Sequence, residues 1–136
     1  MVEFFKEYNK ETPSWEEVLK NFDDSINNKE FIKAYKFGFF VSHHADRIHK
    51  VFKVLEHLKL KSAHLYFNLF SKSETFGKHK DTMDVWFWQI KGSTKWIIED
   101  KDEYILSESD LIYVPKGIYH EVVPLEPRAG ISMSME

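Results

Sequence analysis

Three residues in this chain have the types and spacing to hold a metal ion, and they come from two separate stretches of it. The first stretch is Gly77-Lys78-His79-Lys80-Asp81-Thr82-Met83-Asp84-Val85-Trp86. In an extended strand, residues i and i+2 point to the same face. His79 and Asp81 can therefore aim an imidazole and a carboxylate at one point. The second stretch is Asp110-Leu111-Ile112-Tyr113-Val114-Pro115-Lys116-Gly117-Ile118-Tyr119-His120. It reads as a strand, a Pro-Lys-Gly turn, and a second strand that presents His120. Two imidazoles and one carboxylate on one side of an ion leave the other side open, so that substrate, cosubstrate and O2 can bind together. H-x-D alone occurs often by chance. D-x4-P-x-G-x2-H is more specific, because it fixes turn residues as well as a ligand. The two in this order, with strands between them, make a good signal.

Composition narrows the chemistry further. The chain has 136 residues and no cysteine, which removes disulfides, thiolate metal sites and cysteine nucleophiles. A metal would have to use His, Asp or Glu, which suits iron, manganese, nickel or zinc. The chain is 43% hydrophobic and 16% aromatic, enough for a real core, and its length fits one domain over residues 1–136. A net charge of -3 gives no general attraction to nucleic acid or anionic membrane. The opening MVEFFKEYNKE has no signal-peptide core, and no apolar run reaches transmembrane length. A cytoplasmic protein with neither nucleic acid nor membrane as partner is the default expectation.

These residues need a scaffold, and the chain divides into a helical front part, 1–62, and a strand-rich part, 63–136. Ser14 followed by Glu17 forms a capping-box pattern and predicts a short helix over about 14–22. The aromatic stretch 30–41 is expected to end as a strand. A longer helix should follow Ser42, with Ala45, Ile48, Val51, Phe52, Leu55 and Leu58 as its apolar stripe. From residue 63, AHLYFNLF, DVWFWQIK, TKWIIE, EYIL, DLIYV, YHEVV and GISMSM read as short strands. Lys91-Gly92-Ser93, Asp100-Lys101-Asp102 and Pro115-Lys116-Gly117 separate some of them as turns. Many short strands joined by tight turns predict a mainly β barrel or jelly roll, with the front helices packed on its outside.

On these motifs the chain resembles the JmjC-like branch of the cupin superfamily. The likeness is strongest to Fe(II)/2-oxoglutarate protein hydroxylases of the ribosomal-oxygenase and asparaginyl-hydroxylase type. In those proteins H-x-D is followed by a strand ending in a Q-[IL]-x-G turn and then by an aromatic strand. Here the turn is Gln89-Ile90-Lys91-Gly92, with Trp96 in the next strand. DLIYVPKGIYHEV resembles the second cupin motif, and PRAGISMSM resembles the last barrel strand. The likeness covers about residues 63–136.

The resemblance implies a double-stranded β-helix with His79, Asp81 and His120 as ligands of Fe(II), or of Zn, Ni or Mn in its place. It also implies 2-oxoglutarate as cosubstrate, held through its distal carboxylate by a basic residue. Two residues after the turn glycine, where the family often has Lys, this chain has Thr94, and Arg128 or Thr94 would help hold 2-oxoglutarate. Lys95 follows, but strand alternation turns it to the other face. Arg128, at the start of the last strand, resembles the anchoring Arg that other 2-oxoglutarate oxygenases place upstream of a Ser, such as Ser132 or Ser134. Tyr66 and Asn68, on one face of an earlier strand, could add hydrogen bonds.

Plainer readings stand beside these. His79 and His120 could be ordinary polar strand residues, and Asp81 could pair with Lys78 or Lys80. Asp84 lies at odd spacing from Asp81 and reads as structural or as a support to the site. His43, His44, His49 and His57 read as surface or helix-start residues, and His64 as exposed or hydrogen-bonded. Trp86, Trp88 and Trp96 read as core or interface, with Trp86 or Trp88 as a candidate pocket wall.

Three functions follow. The first is an oxygenase acting on a protein side chain or a small molecule. The second is a metal cupin with other chemistry, a dioxygenase or isomerase without 2-oxoglutarate. The third is a non-catalytic small-molecule-binding barrel. Exposed edge strands and surplus aromatics are compatible with a homodimer.

Overall fold

The computed structural model describes residues 1–73 and 75–136. Ten strands and two α-helices follow the order β1(Glu3–Phe5), α1(Trp15–Asn27), β2(Ile32–Tyr35), β3(Phe39–Ser42), α2(His49–Leu58), β4(Ser62–Asn68), β5(Val85–Lys91), β6(Thr94–Ile98), β7(Asp102–Leu106), β8(Leu111–Val114), β9(His120–Pro124) and β10(Arg128–Ser134). A turn of 3-10 helix, Ala45–Arg47, precedes α2. No helix among the described residues is long and apolar enough to cross a membrane.

The strands form two antiparallel sheets. One has seven strands in the order β1-β8-β5-β10-β4-β3-β2, and the other has three in the order β7-β6-β9. From β5 onward the chain passes back and forth between them. β5, β8 and β10 lie in the large sheet, and β6, β7 and β9 in the small one. This is the expected jelly roll, the double-stranded β-helix, with helices on one outer face.

Alternation along the central strands makes two interiors. On β4, Ala63, Leu65 and Phe67 face outward to the helices; on β10, Ala129, Ile131 and Met133 do the same. They pack with Trp88 and Ile90 of β5 and with Val18, Val51, Val54 and Leu55 of the helices. The opposite face of the same strands meets the small sheet around Phe87, Trp96, Ile98, Leu106, Ile112 and Val114.

Local chemistry explains the helices. The Ser14 hydroxyl accepts from the Glu17 N–H at 3.1 Å, and the Ser14 N–H donates to the Glu17 carboxylate at 3.0 Å. Such a box is worth about 1 kcal/mol. α1 runs five residues past the expected end at 22, because Ser25 on the later turn is also buried. Of the predicted stripe, α2 carries Val51, Leu55 and Leu58, while Ala45 lies in the 3-10 turn, Ile48 caps α2, and Phe52 is 44% exposed. The end of α2 is set by Lys59 in the left-handed region, φ 58°.

The edge strands were not foreseen in full. β1 adds to β8 through Glu3↔Tyr113, Phe4↔Ile112 and Phe5↔Leu111. Its exposed three-residue pattern carries no alternation signal. The stretch 30–41 ends in a strand, β3, as expected, and it also holds β2, which pairs with β3 as a hairpin.

Candidate metal centre

His79 and His120 face each other across a single antiparallel bridge. Each donates its backbone N–H to the other's carbonyl, at 2.9 and 2.8 Å. Directly opposed side chains in such a pair lie close, and the two ring centroids are 4.3 Å apart. The segment carrying His79 is not a continuous strand, contrary to the sequence expectation. It is tied to β9 by that bridge and by the Thr75 hydroxyl, which donates to the Val122 carbonyl at 3.0 Å.

Asp81 is brought in by the turn between β8 and β9. Gly117, at φ 81°, donates its N–H to the Asp81 carbonyl at 2.9 Å. Two residues beyond Asp81's neighbour Thr82, the Asp84 carboxylate accepts the Lys116 N–H at 2.9 Å. Asp84 therefore holds the loop in place, as one of its sequence readings supposed. The Pro-Lys-Gly turn thus positions Asp81 as well as His120. Lys78 pairs with Asp100 instead of Asp81.

Both imidazoles are oriented by their own backbone. Nδ1 of His79 lies 2.8 Å from the Gly77 carbonyl, and Nδ1 of His120 lies 3.0 Å from the Ile118 carbonyl. A carbonyl only accepts, so each Nδ1 is the nitrogen that bears the proton in the neutral ring, which leaves the Nε2 lone pair for a ligand. Those Nε2 atoms lie 3.8 Å (His79) and 3.4 Å (His120) from the two oxygens of Asp81. Burial lowers the pKa of His120, which favours the neutral ring that a metal requires. The three residues are the one group of His, Asp or Glu among the described residues with metal-ligand proximity. Two free lone pairs aimed at a carboxylate, each ring braced by a carbonyl on its far side, is the donor set and support that a divalent ion needs.

The three residues border a cavity of about 390 Å³ between the sheets. Its walls are mostly aromatic and aliphatic: Phe39, Tyr66, Phe76, Val85, Phe87, Trp96 and Val122. Its polar lining includes Arg128 and Ser132 besides the three candidate ligands.

Arg128 is only 1% exposed. Its Nε donates to the Asn68 side-chain oxygen, and its guanidinium sits near the faces of Phe39 and Phe87. Nη1 has no hydrogen-bond partner among the described residues. Burial lowers the Arg128 pKa to about 10. A buried cation with an idle donor on a cavity wall is set up to receive an anion. Tyr66 bonds Ser132, and burial raises the Tyr66 pKa, so the phenol stays protonated.

The sequence-predicted residues sort accordingly. His79, Asp81 and His120 meet, and Arg128, Tyr66 and Ser132 line the cavity beside them. Thr94 and Asn68 are not on its wall. Thr94 is fully buried and its hydroxyl is bonded to Gln89 and Trp96, so the expected cosubstrate contact there gives way to an internal one. Asn68 orients Arg128 from behind. Trp86 and Trp88 face the helices and make no cavity wall. That part falls to Trp96, with Phe39 and Phe76, neither of which was singled out in the sequence. Phe39 lies in the aromatic stretch 30–41, but its place on the wall depends on its pairing with Asn68 of β4, which the sequence does not show.

No protein-family model matches the chain, and no curated protein matches it. Solved structures do. Escherichia coli YcfD superposes with a TM-score of 0.75 at 12% identity, over 97% of this chain and 48% of that one. YcfD described as a ribosomal oxygenase in complex with cobalt and 2-oxoglutarate gives 0.70 at 15% identity, over 98% and 47%. The complex with cobalt and succinic acid gives 0.55 at 20% identity, over 71% and 31%. The chain spans about half the length, or less, of these neighbours. At such identities the likeness establishes a shared fold.

Proposed function

We propose that this chain is a metal-dependent oxygenase that uses 2-oxoglutarate and oxidises a protein side chain or a small molecule. The observation that carries the reading is the pair of imidazoles locked by backbone carbonyls with both Nε2 atoms toward Asp81, on the wall of a cavity that also holds buried Arg128. Structural neighbours solved with cobalt and 2-oxoglutarate support it.

His79 and His120 would supply two nitrogen ligands and Asp81 one oxygen, a set suited to Fe(II). Ferrous iron, when bound, supplies the coupling of 2-oxoglutarate decarboxylation to oxidation of a C–H bond by O2. The protein's own groups do the rest. Arg128 receives the distal carboxylate on its idle Nη1, and its burial strengthens that ion pair. Tyr66 and Ser132 offer hydroxyls beside it. Phe39 and Phe87, both buried beside the Arg128 guanidinium, shield that ion pair from water.

The test is conversion of 2-oxoglutarate to succinate by iron-loaded protein. Iron-dependent succinate that disappears in Asp81→Ala is the expected result. Loaded protein that neither binds nor turns over 2-oxoglutarate would overturn the reading. A second reading, metal chemistry without 2-oxoglutarate, draws on Thr94, whose hydroxyl is already committed. It predicts that 2-oxoglutarate leaves the melting temperature of metal-loaded protein unchanged.

A further inference from the structure

We infer that Trp96 is a positioning residue for His120, held in register by a buried chain of hydrogen bonds through Thr94 and Gln89. The inference rests on the proposed metal site.

The indole of Trp96 lies nearly parallel to the His120 imidazole, with ring centroids 5.6 Å apart and planes 15° apart. The indole N–H donates to the Thr94 hydroxyl oxygen at 3.1 Å. The Thr94 O–H donates to the Gln89 side-chain oxygen at 2.9 Å, and the Gln89 amide nitrogen donates to the Lys91 carbonyl at 2.8 Å. Gln89 and Thr94 are fully buried, and Trp96 is 2% exposed.

The direction of every bond in this chain is forced. Indole can only donate, so the threonine oxygen must accept from it. The Thr94 proton must then go to Gln89, whose amide must present oxygen to Thr94 and nitrogen to Lys91. No member can flip without leaving a buried polar group unpaired, which is costly. The chain also links the two sheets, since Gln89 belongs to β5 and Thr94 and Trp96 to β6. The indole plane is therefore fixed to the frame of the barrel.

That plane restrains the one freedom that the backbone leaves to His120. The Ile118 carbonyl fixes where Nδ1 points, and the stack fixes the roll of the ring about that direction. Among the described residues His79 has no parallel wall: Phe76 meets it at 76° and His120 at 59°. It is also more exposed, 31% for its side chain against 4% for His120. His120 is thus the preset ligand, and His79 the one that adjusts to the ion.

The experiment is titration of the metal-free protein with Co(II), read by visible ligand-field absorption at low temperature, where every variant is folded. Thr94→Val removes the hydroxyl at nearly constant volume, Trp96→Phe removes the indole N–H, and Thr94→Ser restores the hydroxyl. Thr94→Val and Trp96→Phe should bind Co(II) about tenfold more weakly, the range for losing support behind a ligand, with a shifted absorption band. Thr94→Ser should return to the wild-type value. If Thr94→Val and Trp96→Phe only lower the melting temperature while Co(II) affinity and band stay at wild type, the residues are structural and the inference is overturned. Wild-type protein that binds no Co(II) would instead sink the metal reading on which it rests.

Discussion

The two faces of β4, β5 and β10 are built from the same strands and differ in almost everything else. Toward the helices they present Ala63, Leu65, Phe67, Trp88, Ile90, Ala129, Ile131 and Met133, all apolar and nearly all fully buried. Toward the small sheet the same strands present His64, Tyr66, Asn68, Phe87, Gln89, Arg128, Gly130 and Ser132. One face is a filled core, where stability comes from apolar area and close packing. The other contains a cavity and a buried cation, both costly to the fold, beside polar groups that are hydrogen-bonded. A period of two residues separates them, so neighbouring residues should answer the same substitution in opposite ways.

The largest contrast is expected between the two paired strands β4 and β10. Leu65→Ala opens a void in the helix-side core and should cost about 2–5 kcal/mol in urea unfolding. Its neighbour Ser132 faces the cavity from β10, and Ser132→Ala should change stability by less than about 1 kcal/mol. Equal losses would mean that the cavity face is packed as firmly as the other.

Gly130 gives the next largest effect. A Cβ built there would stand 2.1 Å from the edge of the Phe87 ring, on the cavity side. Gly130→Ala must displace Phe87, which packs on Trp96 and lines the cavity. The expected loss is about 1–3 kcal/mol, with weaker binding of anything that occupies the cavity. An unchanged denaturation midpoint would show that Phe87 is free to move.

A smaller effect concerns pH. Burial and then the nearby charges of His43 and His44 lower the His64 pKa to about 4. His43 stacks on it, with centroids 4.2 Å apart and planes at 12°. In the unfolded chain His64 takes up its proton near pH 6.5; in the folded protein it does so only near 4. Between those values the unfolded state binds more protons, so stability falls as the pH drops from 6.5 toward 4. His64→Gln should remove about 1–2 kcal/mol of that fall, since the ring is partly exposed. The check is urea unfolding of both proteins at pH 7 and 4.5. Parallel losses would assign the slope to other groups.

The same two faces explain how much could be read from the chain itself. All the strands from β4 to β10 are evident from alternation and turn residues, as is the α2 stripe apart from Phe52. His79, Asp81 and His120 were legible because their spacing matches a motif, although the segment around His79 proved not to be a regular strand. What resisted reading depended on long-range register. Thr94 and Arg128 are both barrel residues at strand starts, and nothing local says that one is tied to Gln89 and Trp96 while the other keeps a donor on the cavity. β1 was missed because its pairing with β8 joins residues about 110 positions apart and leaves no local periodicity.

The smallest stability effect is the sharpest test of the comparison, and it falls on Arg128. Its guanidinium is out of water, its pKa is pulled down by burial, and its Nη1 has no partner among the described residues. Replacing a poorly compensated buried charge with an apolar chain of similar length is often neutral or stabilising. Arg128→Met should therefore leave stability unchanged or raise it, within about 1 kcal/mol. On the proposed reading it should also abolish the rise in melting temperature expected from 2-oxoglutarate with Co(II)-loaded protein, while the rise expected from Co(II) alone persists. Had the fold needed Arg128 as it needs Ile131 beside it, the variant would lose more than about 2 kcal/mol, the scale of an emptied core position. Such a loss would move Arg128 from the functional face to the structural one, and the cavity would have no dedicated place for the distal carboxylate.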